Sequence, residues 1–288
     1  MVLGLIGAHT VVAATWPVAS PETTGSLPLP EAPYDQRAFI TRSGTEGFEL
    51  AARLQEHGGI ITKPVSWRVF RILTEPGSGD LVYEGSTPVA DIRALPGDYR
   101  IDVEYGFAHY SRVITLEPER RQSIAFNLNV GGLRVLSRLA ADVPIPFSTS
   151  HRIFALSGTS RAHLVAEDAV PGDVLRLPAG RYRIESHLEP GNAVARAEVE
   201  VKPGMLSAVE IDHKAGIASF AIANDAKQAR AWNIVSPSGQ IAATLDGSSP
   251  AVVLAPGTYW VQAAAGASTI TRSFTVSAGR HVQVTLSR

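Results

Sequence analysis

Three near-copies of one phrase constrain this chain more than any other feature. LPGDYRI occupies residues 95–101, LPAGRYRI residues 177–184 and LAPGTYWV residues 254–261. Each joins a Pro-Gly turn, with glycine at Gly97, Gly180 or Gly257, to a run that alternates apolar and polar residues. Tyr99, Ile101 and Val103 share one face, with Arg100 and Asp102 on the other. Tyr182 and Ile184 likewise oppose Arg183 and Glu185, and Tyr259 and Val261 oppose Trp260 and Gln262. Period two with one apolar face is the pattern of a half-buried β-strand.

The repetition extends on both sides. The tyrosines stand 83 and 77 positions apart. Downstream, each copy closes on another alternating run: Ile124-Phe126-Leu128, Val209-Ile211 and Val282-Val284-Leu286. Upstream stand WRVFRI (67–72), HRIFAL (151–156) and AWNIVS (231–236), preceded by FELAARL (48–54), LRVLSRL (133–139) and IASFAIA (217–223). The window 48–57 has residues that favour helix, and an amphipathic helix is the alternative there. Its two counterparts read as strands, so a strand is expected. The chain thus divides into three units, about 43–129, 130–214 and 215–288, each with six or seven short strands between turn signals such as EPGSGD, VPGD and SPSGQ. That count and spacing suits an all-β chain of three tandem antiparallel β-sandwiches. The junctions NVGG (129–132) and HKAG (213–216) are short, so limited bending is expected.

Ahead of the repeats, residues 2–14 are almost wholly apolar and end in Val12-Ala13-Ala14, small residues of the kind a signal peptidase reads. The run is shorter than the roughly 20 residues of a membrane span, and no Lys or Arg precedes it. Segment 1–14 is read as signal-like, with a buried strand or a tail as the alternative. Residues 15–42, carrying Pro17, Pro21, Pro28, Pro30 and Pro33, read as an extended proline-rich linker.

The turn-and-strand phrase resembles that of bacterial immunoglobulin-like or carboxypeptidase-regulatory-like (transthyretin-type) sandwich domains, in which L-P-x-G-x-Y-x-hydrophobic recurs. LPAGRYRI fits letter for letter, and the other two copies fit with one-residue shifts in the turn. The resemblance covers residues 43–288. It implies a tyrosine packed inside each sandwich and a setting among exported envelope and surface proteins, and it supplies no catalytic residue.

Chemistry is sparse. With 26 Lys+Arg against 27 Asp+Glu the net charge is −1, so no long-range field draws the chain to nucleic acid or to an anionic membrane. Cysteine is absent, which excludes disulfides, thiol nucleophiles and cysteine-based metal centres. The eight histidines lie at no ligand spacing and are expected to be solvated singly. No nucleophile-elbow or phosphate-loop motif is present. EPGSGD (75–80) and LDGSSP (245–250) read as hairpin turns rather than calcium loops. No cofactor or metal is called for.

One loop differs between the copies. After the tyrosine strand the first unit reads EYGFAHYSR (104–112), where the others read HLEPGNAVAR (187–196) and AAGASTITR (264–272). Only the first carries Tyr105, Phe107, His109 and Tyr110. These four are either a recognition patch for a protein or sugar ring, or a cover for the sandwich end or a neighbouring domain. Each loop ends in an arginine, Arg112, Arg196 or Arg272, whose recurrence favours a structural role. The whole reads as a non-enzymatic, periplasmic or cell-surface scaffold that binds a protein partner in the bacterial envelope through strand edges and loop tips. A carbohydrate- or envelope-polymer-binding module is the alternative, and a cryptic enzyme or metal site the last.

Overall fold

The computed structural model of the chain describes residues 26–28, 46–72, 79–141, 143–157, 161–223, 231–265 and 268–287. The signal-like segment 1–14 and nearly all of the proline-rich segment 15–42 lie outside these residues. A short strand, β1 (Ser26–Pro28), precedes three groups of seven. The first group is β2 (Gly47–Arg53), β3 (Val65–Ile72), β4 (Gly79–Thr87), β5 (Val89–Arg93), β6 (Gly97–Tyr105), β7 (Ala108–Leu116) and β8 (Arg121–Asn127). The second is β9 (Val130–Arg138), β10 (Ser148–Ser157), β11 (Arg161–Ala169), β12 (Val174–Pro178), β13 (Gly180–Glu189), β14 (Ala193–Val201) and β15 (Met205–Asp212). The third is β16 (Gly216–Ile222), β17 (Ala231–Val235), β18 (Ile241–Asp246), β19 (Ala251–Leu254), β20 (Gly257–Ala265), β21 (Ser268–Val276) and β22 (His281–Leu286). Among the described residues no helix is long and apolar enough to cross a membrane.

Each group makes one sandwich with the same topology. A three-stranded sheet, β5-β2-β8 in the first, faces a four-stranded one, β4-β3-β6-β7. The second and third sandwiches repeat this as β12-β9-β15 with β11-β10-β13-β14, and β19-β16-β22 with β18-β17-β20-β21. Pairing is antiparallel except between the first and last strand of each sandwich, which run parallel: β2 with β8, β9 with β15 and β16 with β22. The window that could have been helix forms β2, because Phe48, Leu50 and Ala52 are needed on the inner face against Tyr99 and Trp67. Propensity yields there to burial.

The repeated phrase has a second function beyond filling the core. Tyr99, Tyr182 and Tyr259 are all buried, and each hydroxyl donates to the carbonyl four residues back. The acceptors are Leu95 at 2.6 Å, Pro178 at 2.7 Å and Ala255 at 2.9 Å. A buried phenol needs a partner, and this one ties the strand to the turn that delivers it. Burial pushes the Tyr182 phenol up to about 12, so it remains a donor at any physiological pH. Of the three glycines only Gly97 has a positive φ. At Gly180 and Gly257 the tyrosine ring lies 3.9 and 3.5 Å from where a Cβ would sit, ordinary contact distances, so the ring does not demand glycine at either position.

The structure corrects two expectations drawn from the sequence. Arg112 and Arg272 face Ile101 and Val261, but Arg196 faces Glu185, one residue out of step. Successive strand residues point to opposite faces, so Arg196 lies on the other side of its sheet, in an ion pair with Glu185 at 2.7 Å. The three arginines therefore do not share one structural role. His151 and His213 are buried rather than solvated, with 0% and 4% exposure. His151 pairs with Ser186, four residues past Tyr182. In the other sandwiches Trp67 pairs with Val103 and Trp232 with Ala263, at the same distance past their tyrosines. His151 thus takes the place of a core tryptophan. Both tryptophans are fully buried and donate their indole N–H to a backbone carbonyl, of Thr87 at the end of β4 and of Gly247 in a turn, each at 2.9 Å. The second acceptor lies in the LDGSSP turn, which joins β18 to β19.

Tyr182→Phe removes one hydrogen bond and leaves the Pro178 carbonyl without that donor. The expected loss is about 1 kcal/mol, read as a lower denaturant midpoint at unchanged slope. Tyr259→Phe is expected to cost more, because its hydroxyl also accepts a bond from Asn192 at 3.2 Å.

Candidate functional site

The aromatic loop of the first sandwich lies at its boundary with the second. Tyr105 ends β6 and is buried, with the Arg176 guanidinium of β12 5.0 Å above its ring centroid. The Phe107 N–H donates to the Arg176 carbonyl at 2.9 Å, while the Phe107 side chain is 45% exposed. His109 and Tyr110 are consecutive on β7 and so point to opposite faces. His109 reaches the Glu104 carboxylate at 3.3 Å, which also accepts from Arg68 at 2.6 Å on the outer sheet face. Tyr110 leans edge-on against Phe126 with centroids 5.9 Å apart, over the seam between β7 and β8. The fold therefore distributes the four residues among a junction, a tip, an outer face and a seam. Phe107 borders a groove of about 350 Å³ that also takes in Pro64, Ser66, Ser86, Glu104 and Leu175.

The same tip in the second sandwich also seats on the third, with the backbone bond running the other way. Its turn, Pro190-Gly191-Asn192, reaches β19: the Val253 N–H donates to the Pro190 carbonyl at 3.0 Å, and Gly191 bridges to Val253. Asn192 completes the contact, its amide oxygen accepting from Ala255 N–H at 3.0 Å and its amide nitrogen donating to the Tyr259 hydroxyl at 3.2 Å. Arg176 and Val253 each stand four residues before the glycine of the repeated phrase. The tip of one sandwich thus seats on the turn-tyrosine unit of the next.

Two glycines permit the approach. A Cβ at Gly106 would meet the Arg176 carbonyl at 2.6 Å, and one at Gly191 would meet the Val253 carbonyl at 1.7 Å. Both have positive φ, at 64° and 147°. A second contact backs each tip. The Val130 N–H donates to Leu54 O at 2.9 Å across the first boundary, and the Ala215 N–H to Leu139 O at 2.8 Å across the second. Apolar side chains close around both: Val130 and Leu206 join the first core, while Leu139, Leu188, Ala193, Ala215 and Val253 form a cluster of their own at the second boundary. Neither Arg176 nor the Pro190–Asn192 turn was singled out in the sequence. The one legible clue was a glycine at the same tip in both copies.

Among the described residues no three His, Cys, Asp or Glu side chains are placed to hold a metal ion.

Residues 222–287, most of the third sandwich, match the model of the Rhizobiales growth-associated tandem repeat domain. No curated protein matches the chain. Among solved structures, the TIE protein of Bacillus anthracis is 13% identical over 84% of this chain and 50% of its own, with a TM-score of 0.26. The chain thus spans half the length of that protein. A minor pilin of Streptococcus agalactiae is 13% identical over 55% of this chain and 94% of its own, at a TM-score of 0.32. The major pilin subunit of Bacillus cereus is 11% identical over 83% of this chain and 98% of its own, at 0.24. Likeness this distant carries no function across. The chain is a tandem β-sandwich repeat protein.

Gly191→Ala is expected to open the second boundary, since a methyl group cannot share space with the Val253 carbonyl. The backbone strain alone is about 1–3 kcal/mol. Limited proteolysis should then cut the HKAG connector faster, with the far boundary at Gly106 unaffected.

Proposed function

We propose that the chain is a non-catalytic, exported scaffold of the bacterial envelope, which holds a protein partner on the edges of its sandwiches. The observation that carries this reading is β1. Ser26, Leu27 and Pro28 lie antiparallel to Ser207, Leu206 and Met205, as an added strand on the edge of β15. An extended, proline-flanked segment on an open edge is the main-chain recognition mode by which sheets take up peptides. The corresponding strands β8 and β22 end their sheets, so each offers the same kind of edge among the described residues. The signal-like residues 2–14 support export to the periplasm or surface. The likeness of the third sandwich to a tandem repeat domain supports a scaffold over an enzyme. Within the sandwich class, the L-P-x-G-x-Y phrase supports the carboxypeptidase-regulatory-like, transthyretin-type branch.

A second reading, binding of a glycan or envelope polymer, is favoured by the groove beside Phe107, which sets an exposed ring next to Glu104, Ser66 and Ser86.

Photo-crosslinking residues placed at Ser123 on β8 and Gln283 on β22 separate the two. Under the scaffold reading at least one edge links to a single envelope protein in intact cells, and absence of any such link at both edges overturns it. Under the second reading, binding to peptidoglycan or arrayed glycans falls at least tenfold in Phe107→Ser.

A further inference from the structure

The second sandwich departs from the first at four packed positions together. Where the first has Ala52, Trp67, Val103 and Leu128 in its apolar core, the second has Ser137, His151, Ser186 and His213. Two of these correspondences follow from strand pairing. The fourth follows from the backbone, since Leu128 N–H donates to Arg53 O at 2.9 Å and His213 N–H to Arg138 O at 3.1 Å, each just past the last strand. The third sandwich follows the first, with Ile222, Trp232 and Ala263 buried.

The four polar residues form one chain of hydrogen bonds. His151 Nδ1 lies 3.2 Å from the Ala169 carbonyl, His151 Nε2 2.9 Å from Ser137 Oγ, Ser137 Oγ 3.0 Å from Ser186 Oγ, and Ser186 Oγ 2.8 Å from His213 Nε2. The carbonyl at one end sets the direction. It can only accept, so His151 Nδ1 carries the proton and His151 Nε2 is a lone pair. Ser137 therefore donates to His151, Ser186 donates to Ser137, and His213 Nε2–H donates to Ser186. With both rings neutral every bond of this chain is satisfied. His213 Nδ1 is then a buried lone pair that no N–H or O–H reaches among the described residues, and the Ala193 carbonyl near the ring favours its protonated form. The next proton to enter the network goes there.

That proton arrives beside the second boundary. His213 opens the connector to the third sandwich, two residues before Ala215, whose N–H bonds to Leu139. Leu139, Leu188 and Ala193 of the boundary cluster sit on the strands and turns that hold the network. The titratable and charged groups around it are few. β13 contributes His187; β9 contributes Arg138, which pairs with Glu210 at 3.4 Å and Asp212 at 3.6 Å on β15. β10 contributes Arg152, paired with Glu167 of β11 at 3.5 Å. β11 and β14 contribute the Ala169 and Ala193 carbonyls, and Lys214 next in the chain is exposed.

We propose that the Ser137–His151–Ser186–His213 network is a proton-uptake site that makes the second sandwich, with its boundary to the third, an acid-labile joint. Burial holds His151 below its ordinary value. Burial first, and then the neighbouring His151, bring His213 down to about 4, with Asp212 pulling the other way and His187 and the Ala193 carbonyl acting less. Both folded values lie below the unfolded one of 6.5, so the unfolded chain binds more protons over that interval. Stability is complete above pH 6.5 and is lost as pH falls from there toward about 4.

The test is amide hydrogen exchange on the full chain from pH 7 to pH 5, corrected for intrinsic rates. The opening equilibrium of β9, β15 and the HKAG connector is expected to rise about twentyfold from His213 alone. Strands β2 and β16 should show no such rise. In His213→Leu/Ser186→Val, which installs the residues of the first sandwich at those two positions, the roughly twentyfold share due to His213 should disappear, leaving only the smaller response of His151. An equal acid response in all three sandwiches, or an unchanged one in the variant, overturns the proposal. A ring-proton titration of the unaltered chain decides it independently of that variant. His213 should remain neutral at pH 6 and His151 should titrate below 6.5, and titration of both near 6.5 overturns the proposal.

Discussion

The bond from each tyrosine hydroxyl to the carbonyl four residues back is the contact on which the larger structure depends. It fixes the turn that ends the short strand, β5, β12 or β19, against the strand that follows. In the second and third sandwiches the residues beside that turn receive the tip of the preceding sandwich. Asn192 bonds to the Tyr259 hydroxyl and to the Ala255 N–H, the residue whose carbonyl the hydroxyl already holds. A hydrogen bond inside one core thereby becomes part of the contact between two. The tandem units are joined by tip, backbone bond and shared apolar cluster, so each boundary is built from many small nearest-neighbour terms, as in repeat proteins.

The three sandwiches share a topology but not a core. The first and third centre on a tryptophan packed against phenylalanine, Trp67 with Phe126 and Phe220 with Trp232. The second fills the same layer with two histidines and two serines. Apolar packing is insensitive to pH, whereas a buried hydrogen-bonded network depends on every proton being in place. Identical folds can thus differ in how they respond to conditions, and the difference sits at a boundary where local loosening alters the relation between neighbouring units.

Much of the fold was legible in the sequence. Period-two runs such as Tyr99-Ile101-Val103 identify strands because pleating alternates side chains, and their threefold recurrence counts the sandwiches. Even the helix-friendly window at 48–57 yielded to comparison with its counterparts. The aromatic residues 105–110 were legible as a difference between copies but not as four separate environments. Which of them turns inward depends on where the β6–β7 turn falls, and that is set by the register of the ladder. The arginines misled for the same reason: a one-residue offset is invisible in an unaligned loop and reverses the face of the sheet. His151 aligns with Trp67 by eye, yet its burial required partners from strands 14 and 35 residues away, at Ser137 and Ser186.

The sequence by itself determined the class of fold and the number of units, because alternation and turn chemistry are local and each copy carries them entire. The tertiary structure alone decided what lies between units and what lies beneath them: tip on turn, strand on edge, and histidine in the place of tryptophan. Those are meetings of residues far apart in the chain, and no local pattern records them.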